Sequence, residues 1–209
     1  MLEMPQNFLS GTLKLEGVIQ LPQIDGWKVP AVALCHPHPL YGGNLQNNVI
    51  VAVSEALVNK GIAALRFNFR GVDLSEGEFN EGVGEKDDVI AAVEELAGRP
   101  DIDRERLGVM GYSFGGMVAL GAVKDCALVR AVAAVSPLVT PGLLQGLNMP
   151  SYIIYGTLDH VVDANLLSQE VKKMIVPAQV ELVERVDHFW FGHEKKMCDK
   201  VASFFEQVL

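Results

Sequence analysis

Ser113 sits in Gly111-Tyr112-Ser113-Phe114-Gly115, between a short apolar run, Arg106-Leu107-Gly108-Val109-Met110, and a stretch of small apolar residues, Gly116-Met117-Val118-Ala119-Leu120-Gly121-Ala122-Val123. The first run reads as a buried strand and the second, free of proline, as a helix packed close to a sheet. A serine confined between the two must take a strained backbone, and the flanking glycines let neighbouring backbone pass without Cβ clashes. The helix N-terminus behind it supplies free N–H groups and positive dipole where an oxyanion would form. The chemistry suggested is acyl transfer through an activated hydroxyl. Its strand-then-helix setting carries more weight than the five-residue pattern itself.

Such a serine needs a base and an orienting acid. The chain holds five histidines. His36 and His38 precede the serine in His36-Pro37-His38-Pro39, His160 follows a candidate acid, and His193 lies at the start of a helix. His188 falls between the last strand and the last helix, in Val186-Asp187-His188-Phe189-Trp190-Phe191-Gly192, and is the candidate base. Asp159 ends the penultimate strand in Tyr155-Gly156-Thr157-Leu158-Asp159 and is the candidate acid. Of its rivals, Asp163 is placed to cap a helix beginning near Ala164, and Asp187 is too close in sequence to aim at His188. Ser113, Asp159 and His188 thus fall at strand ends that a parallel sheet can bring together. His36 and His38 lack a carboxylate or cysteine at ligand spacing, so a loop role is expected of them rather than a metal site.

Positioning these residues requires an alternation of strand and helix. Phe8 to Leu15 and Gly17 to Leu21 predict strands with an antiparallel start; Lys28 to Leu34 then reads as a buried strand. Helices are predicted over Asn44 to Lys60, closing at Gly61, and over Glu85 to Ala97, with a strand from Ile62 to Asn68 between them. After Arg106 to Tyr112 and a helix to about Lys124 come strands at Val129 to Val135, Ser151 to Tyr155 and Val180 to Val183. Helices are predicted at Ala164 to Ile175 and Lys195 to Leu209. The fold class expected is α/β, a mostly parallel sheet with antiparallel N-terminal strands, helices on both faces and loops gathered at the carboxyl ends.

Composition is consistent with that reading. At 209 residues, 49% hydrophobic and 21% charged, the chain suits one globular domain over residues 1–209, with no repeat or linker to mark a boundary. A net charge of −9 argues against nucleic-acid binding. No apolar run reaches membrane-spanning length, and the N-terminus lacks a basic region followed by an apolar one, so a cytoplasmic protein without membrane association is expected. Cys35, Cys126 and Cys198, without metal spacing, read as small core residues. The acidic stretch Glu76, Glu78, Glu81, Glu85, Asp87 and Asp88 reads as a solvated loop entering a helix N-terminus.

Taken together, the segments resemble the α/β-hydrolase superfamily over nearly the whole chain. Asp103 to Gly116 is similar to the nucleophile strand and elbow of its dienelactone-hydrolase-like and prolyl-oligopeptidase-like branches. Phe67-Asn68-Phe69-Arg70-Gly71 with Ser75-Glu76-Gly77 resembles the Arg-Gly loop after the fourth strand, and the Asp159 and His188 segments resemble the acid and histidine loops. His36-Pro37-His38-Pro39-Leu40-Tyr41-Gly42-Gly43-Asn44 is similar to the corresponding loop of small, lidless bacterial members.

The resemblance implies a two-step hydrolysis by Ser113, His188 and Asp159 that requires neither metal nor organic cofactor. By the family plan one oxyanion donor is the N–H of Phe114 and the other comes from the His36–Asn44 loop. Pro37 and Pro39 have no N–H; Leu40 is the first choice, with His38 and Tyr41 behind it. Tyr41, Phe189 and Trp190, with Phe191 beside them, are candidates for lining the substrate pocket, packing being the competing role. Only Ser136 to Pro150 occupies the place where a lid is often inserted, enough for one short helix around Gly142 to Leu147. An open site for short- to medium-chain esters follows, thioesters and peptides being the alternatives, in a monomer or homodimer. A serine at the elbow counts against haloalkane dehalogenases, which use aspartate, and against dienelactone hydrolases proper, which use cysteine. A non-catalytic binding member would be expected to lack part of the triad. A dinucleotide enzyme would need a GxGxxG-type turn where this chain has His-Pro-His-Pro.

Overall fold

A computed structural model of the chain describes residues 2–23 and 28–209. The N-terminal strands are only partly buried because one face or edge meets solvent. β1 (Leu2–Pro5) and β4 (Gly17–Leu21) pair antiparallel, while β2 (Phe8–Ser10) and β3 (Leu13–Leu15) form a separate hairpin. The single strand expected over Phe8 to Leu15 is broken by Gly11, whose φ of 59° turns the chain back on itself. β1 was not expected from the sequence.

From β5 (Val29–Cys35) onward, strands alternate with helices: α1 (Asn48–Asn59), β6 (Ala63–Phe67), α2 (Gly84–Gly98), β7 (Ile102–Tyr112), α3 (Phe114–Ala122), β8 (Val129–Val135), β9 (Ser151–Gly156), α4 (Ala164–Val171), β10 (Gln179–Val183) and α5 (Glu194–Val208). The main sheet has the order β1-β4-β6-β5-β7-β8-β9-β10. β6, β5, β7, β8, β9 and β10 are mutually parallel, and β4 joins β6 antiparallel. The inner strands are buried on both faces, which is why they read as unbroken apolar runs. α1 and α5 cover one face, and α2, α3 and α4 the other. Among the described residues, no separate cap domain sits on this mostly parallel sheet. Among the described residues, no helix is long and apolar enough to cross a membrane.

Several boundaries differ from expectation for local reasons. α1 begins at Asn48, not Asn44, because the Asn47 side chain accepts the Val49 N–H at 3.0 Å and sets the first turn there. α4 stops at Val171 and continues as turns. Pro141 to Gly146 forms turns rather than the short helix expected; the buried Glu170 carboxylate accepts the Gly142 and Leu144 N–H groups at 2.9 and 3.2 Å.

The acidic stretch is not uniformly solvated. Glu85 is buried and accepts the amides of Asn80 and Gly82, and Asp88 is buried against the Arg70 guanidinium and backbone amide. Glu76, Glu78, Glu81 and Asp87 are exposed as expected.

This order places the crevice. From β5 the chain crosses to β6 on one side, and β7 lies on β5's other side, so the loops leaving β5 and β7 face each other across a gap.

Candidate active site

Ser113 stands between β7 and α3 with φ 57° and ψ −120°, a conformation non-glycine residues avoid. Neighbouring contacts hold it there. Its N–H donates to the Val135 carbonyl at 2.9 Å, and its carbonyl accepts from Leu138 at 3.2 Å and Met117 at 3.2 Å. The tightness of this turn explains the flanking glycines: a Cβ at Gly115 would collide with the carbonyl oxygens of Cys35 and His36, and one at Gly111 with the Gly115 carbonyl.

The structure brings the three residues singled out above together. His188 Nε2 lies 2.9 Å from Ser113 Oγ, and its Nδ1 lies 3.0 Å from both carboxylate oxygens of Asp159. Asp159 also accepts the Val161 and Val162 amides at 3.0 and 3.1 Å and a hydrogen bond from the Ser136 hydroxyl. Burial alone would raise the Asp159 pKa, but His188, Ser136 and the amide together hold it below its ordinary value. The rival acids are otherwise engaged: Asp163 caps α4 through the Leu166 N–H at 2.9 Å, and Asp187 accepts the Phe189 N–H at 3.0 Å.

Two supporting residues were not found by sequence reasoning. The Tyr112 hydroxyl donates to the His188 carbonyl at 2.7 Å, fixing the loop that carries the imidazole; burial pushes that phenol's pKa up, with Asp159 and Asp187 adding to it. Ser136 is fully buried with φ 45°, accepts the Trp190 indole N–H at 3.0 Å, and donates its own hydroxyl hydrogen bond to Asp159. A hydroxyl one residue past β8 carries no pattern in sequence that distinguishes it from any loop serine.

Trp190 is accordingly not in the substrate pocket. It is 0% exposed and packed with the α1–α5 core, because a φ of 61° at that residue turns its ring inward while Phe189 and Phe191 face out. Leu40 does not fit the oxyanion role either. Its N–H is taken by His38 Nδ1 at 3.2 Å, inside a single turn spanning Pro39–Tyr41. Tyr41, Gly42 and Gly43 donate to carbonyls of the same loop at 3.1 Å each. Among the described residues, the His38 N–H has no acceptor, nor does that of Phe114, which heads α3.

The histidines of the β5 loop are occupied by the protein itself. His36 is buried, with Nδ1–H donating to the Pro37 carbonyl at 2.7 Å and Nε2 accepting the Phe69 N–H at 3.1 Å. The His38 ring packs among Tyr41, Phe79 and Phe114 at 4.8–5.0 Å, and burial lowers its pKa against the pull of Glu85. With both of its ring nitrogens engaged, His36 has none left to share a metal with His38.

Ser113 and His188 form the floor of a pocket of about 570 Å³, with Tyr41, Phe189 and Phe191 at its mouth. A hollow of about 630 Å³ lies elsewhere, near Phe8 and Arg99, but its polar groups bond one another, Gln6 to Glu95 and Arg99 to Asp101.

The model of the dienelactone hydrolase family matches residues 73–206, from the Arg70 loop through the histidine loop and most of α5. The chain belongs to the dienelactone hydrolase family. An uncharacterized protein of Rickettsia prowazekii is 30% identical over 199 residues, covering 90% of this chain and 82% of that one. A solved α/β serine hydrolase homologue from Coxiella burnetii superposes with a TM-score of 0.86 at 27% identity, over 97% of each chain. A thiohydrolase of Aspergillus aculeatus is 31% identical over 131 residues, 61% of this chain and 39% of that protein. Within the dienelactone hydrolase family, this member carries serine at the elbow position.

Proposed function

We propose that this chain is a serine hydrolase that cleaves short- to medium-chain carboxylic esters through an acyl-enzyme on Ser113. The observation that carries the reading is the continuous line of hydrogen bonds from Ser113 Oγ through His188 to Asp159, 2.9 and 3.0 Å long, at the floor of the pocket. With Nδ1–H donated to Asp159, Nε2 is left as the acceptor that takes the serine proton. As Ser113 Oγ attacks the ester carbon, His188 becomes the imidazolium, stabilised by the carboxylate. The oxyanion is assigned to the amides of Phe114 and His38, neither of which has a protein acceptor among the described residues. His188 then protonates the departing alcohol, and water, deprotonated by the same ring, releases the acid.

The relative named as a thiohydrolase keeps a second reading in view, acyl thioester hydrolysis by the same three residues. A panel of p-nitrophenyl esters and acyl thioesters separates the two, run with Ser113→Ala and His188→Ala beside the native protein. Loss of turnover in both folded variants is expected; retained turnover in either refutes that residue's role.

A further inference from the structure

The rings at the mouth of the Ser113 pocket stand out from the rest of the chain. Tyr41 is 87% exposed, Phe191 71% and Phe189 57%, whereas every other Phe, Tyr and Trp among the described residues is buried or half-buried. Large exposed rings grouped at one cleft mark a surface built to be covered by a ligand.

Their arrangement says which part of the ligand. Phe189 and Phe191 are stacked, centroids 6.2 Å apart and 18° from parallel, and together form one aromatic shelf. Phe189 meets the His188 imidazole edge-on at 5.8 Å and 87°, so the shelf adjoins the proton-carrying ring. Tyr41 belongs to the other wall, 4.8 Å from the His38 ring, on the loop to which the oxyanion is assigned. In acyl transfer the C–O bond to the alcohol breaks as the Oγ–acyl bond forms, and His188 Nε2 gives the alkoxide its proton. The leaving oxygen must therefore lie on the imidazole side, beside the shelf.

Charge narrows the class further. Among the described residues lining the pocket there is no Lys, Arg, Asp or Glu, and wall residue Asn48 donates to the Glu194 carboxylate at 3.1 Å. In a chain of net charge −9, an anion here meets no counterion and a repulsive field.

We infer that the site takes esters whose leaving alcohol carries an uncharged aromatic ring, laid on Phe189 and Phe191, and that it selects against anionic leaving groups such as coenzyme A. This rests on the acyl-enzyme reading above.

Benzyl acetate and methyl phenylacetate are isomers that put the same ring on the alcohol and the acyl side respectively. With kcat/KM divided by each ester's own hydroxide rate, the native protein favours benzyl acetate by about fivefold or more, the size of one aromatic contact. The double variant Phe189→Ala/Phe191→Ala lowers that preference about fivefold, through KM for benzyl acetate. Native kcat/KM for 4-carboxybenzyl acetate falls about tenfold below benzyl acetate. A preference unchanged in the double variant, equal turnover of the carboxylate ester, or no turnover of benzyl acetate overturns the inference. Labelling of native Ser113 by a fluorophosphonate separates the two levels: a labelled protein that fails these tests loses only the leaving-group assignment. An unlabelled one loses the acyl-enzyme reading, and this inference with it.

Discussion

Acidification places a proton on His36 in the unfolded chain well before it does so in the folded one. The ring is fully buried, and its acceptance of the Phe69 N–H at Nε2 requires the neutral form, whereas Nδ1–H donates to Pro37 O in either form. Burial, opposed by the Pro37 carbonyl and Asp73, lowers its pKa from 6.5 to about 4. Because the folded value is depressed, the contribution to stability is complete above pH 6.5 and is lost as pH falls toward the folded value. At 1.36 kcal/mol per pKa unit the full loss is about 3 kcal/mol, of which about 2 kcal/mol has gone by about pH 4.5. Carboxylates titrate in the same window, so the assay is a difference. Urea unfolding of the native protein is compared with His36→Gln, which keeps an acceptor for Phe69 N–H but does not titrate. The native protein should lose about 2 kcal/mol more than the variant between neutrality and about pH 4.5. Curves parallel to within about 0.5 kcal/mol would refute the assignment of a neutral, doubly bonded imidazole.

Two further outcomes follow from the packing around the elbow. Ser136→Ala removes one donor from Asp159 and leaves the Trp190 indole N–H buried without its acceptor. It should lower kcat about tenfold, the worth of roughly 1.4 kcal/mol, with KM little changed and stability reduced by about 1–3 kcal/mol in urea melts. Unchanged kcat would make Ser136 a packing residue only. Gly115→Ala drives a Cβ into the Cys35 and His36 carbonyl oxygens and should cost about 2–3 kcal/mol. Gly98→Ala, with nothing within 4 Å of its new Cβ, should be neutral or stabilising by up to about 1 kcal/mol. Equal effects of the two substitutions in thermal or urea unfolding would contradict the described crowding.

What the sequence made legible follows from what each residue depends on. Ser113 and Asp159 could be singled out because each follows a strand whose continuous apolar run announces it, and His188 because it falls between the last strand and the last helix; a parallel sheet gathers such loops at one edge. Asp163 was separable from Asp159 by its place before a helix. Trp190 was not separable from Phe189 and Phe191, since only a left-handed backbone at that residue sends its ring inward. Leu40 shared a loop with the unspent amide of His38, and only coordinates reveal that His38 Nδ1 consumes the Leu40 N–H. Glu85 and Asp88 looked solvated in an acidic run because the groups that bury them, the Asn80 and Gly82 amides and Arg70, are chosen by loop geometry rather than by composition. β1 escaped notice because an edge strand with mostly exposed side chains carries little apolar signal.

Trapping the covalent intermediate tests the central reading most directly. Rapid quench of the protein with p-nitrophenyl acetate, followed by intact and peptide mass analysis, should find one acetyl group on the peptide containing Ser113, appearing with the burst of p-nitrophenol. Ser113→Ala should show neither burst nor adduct. Turnover by the native protein with no acetyl on Ser113, or an adduct that persists in Ser113→Ala, would contradict the account.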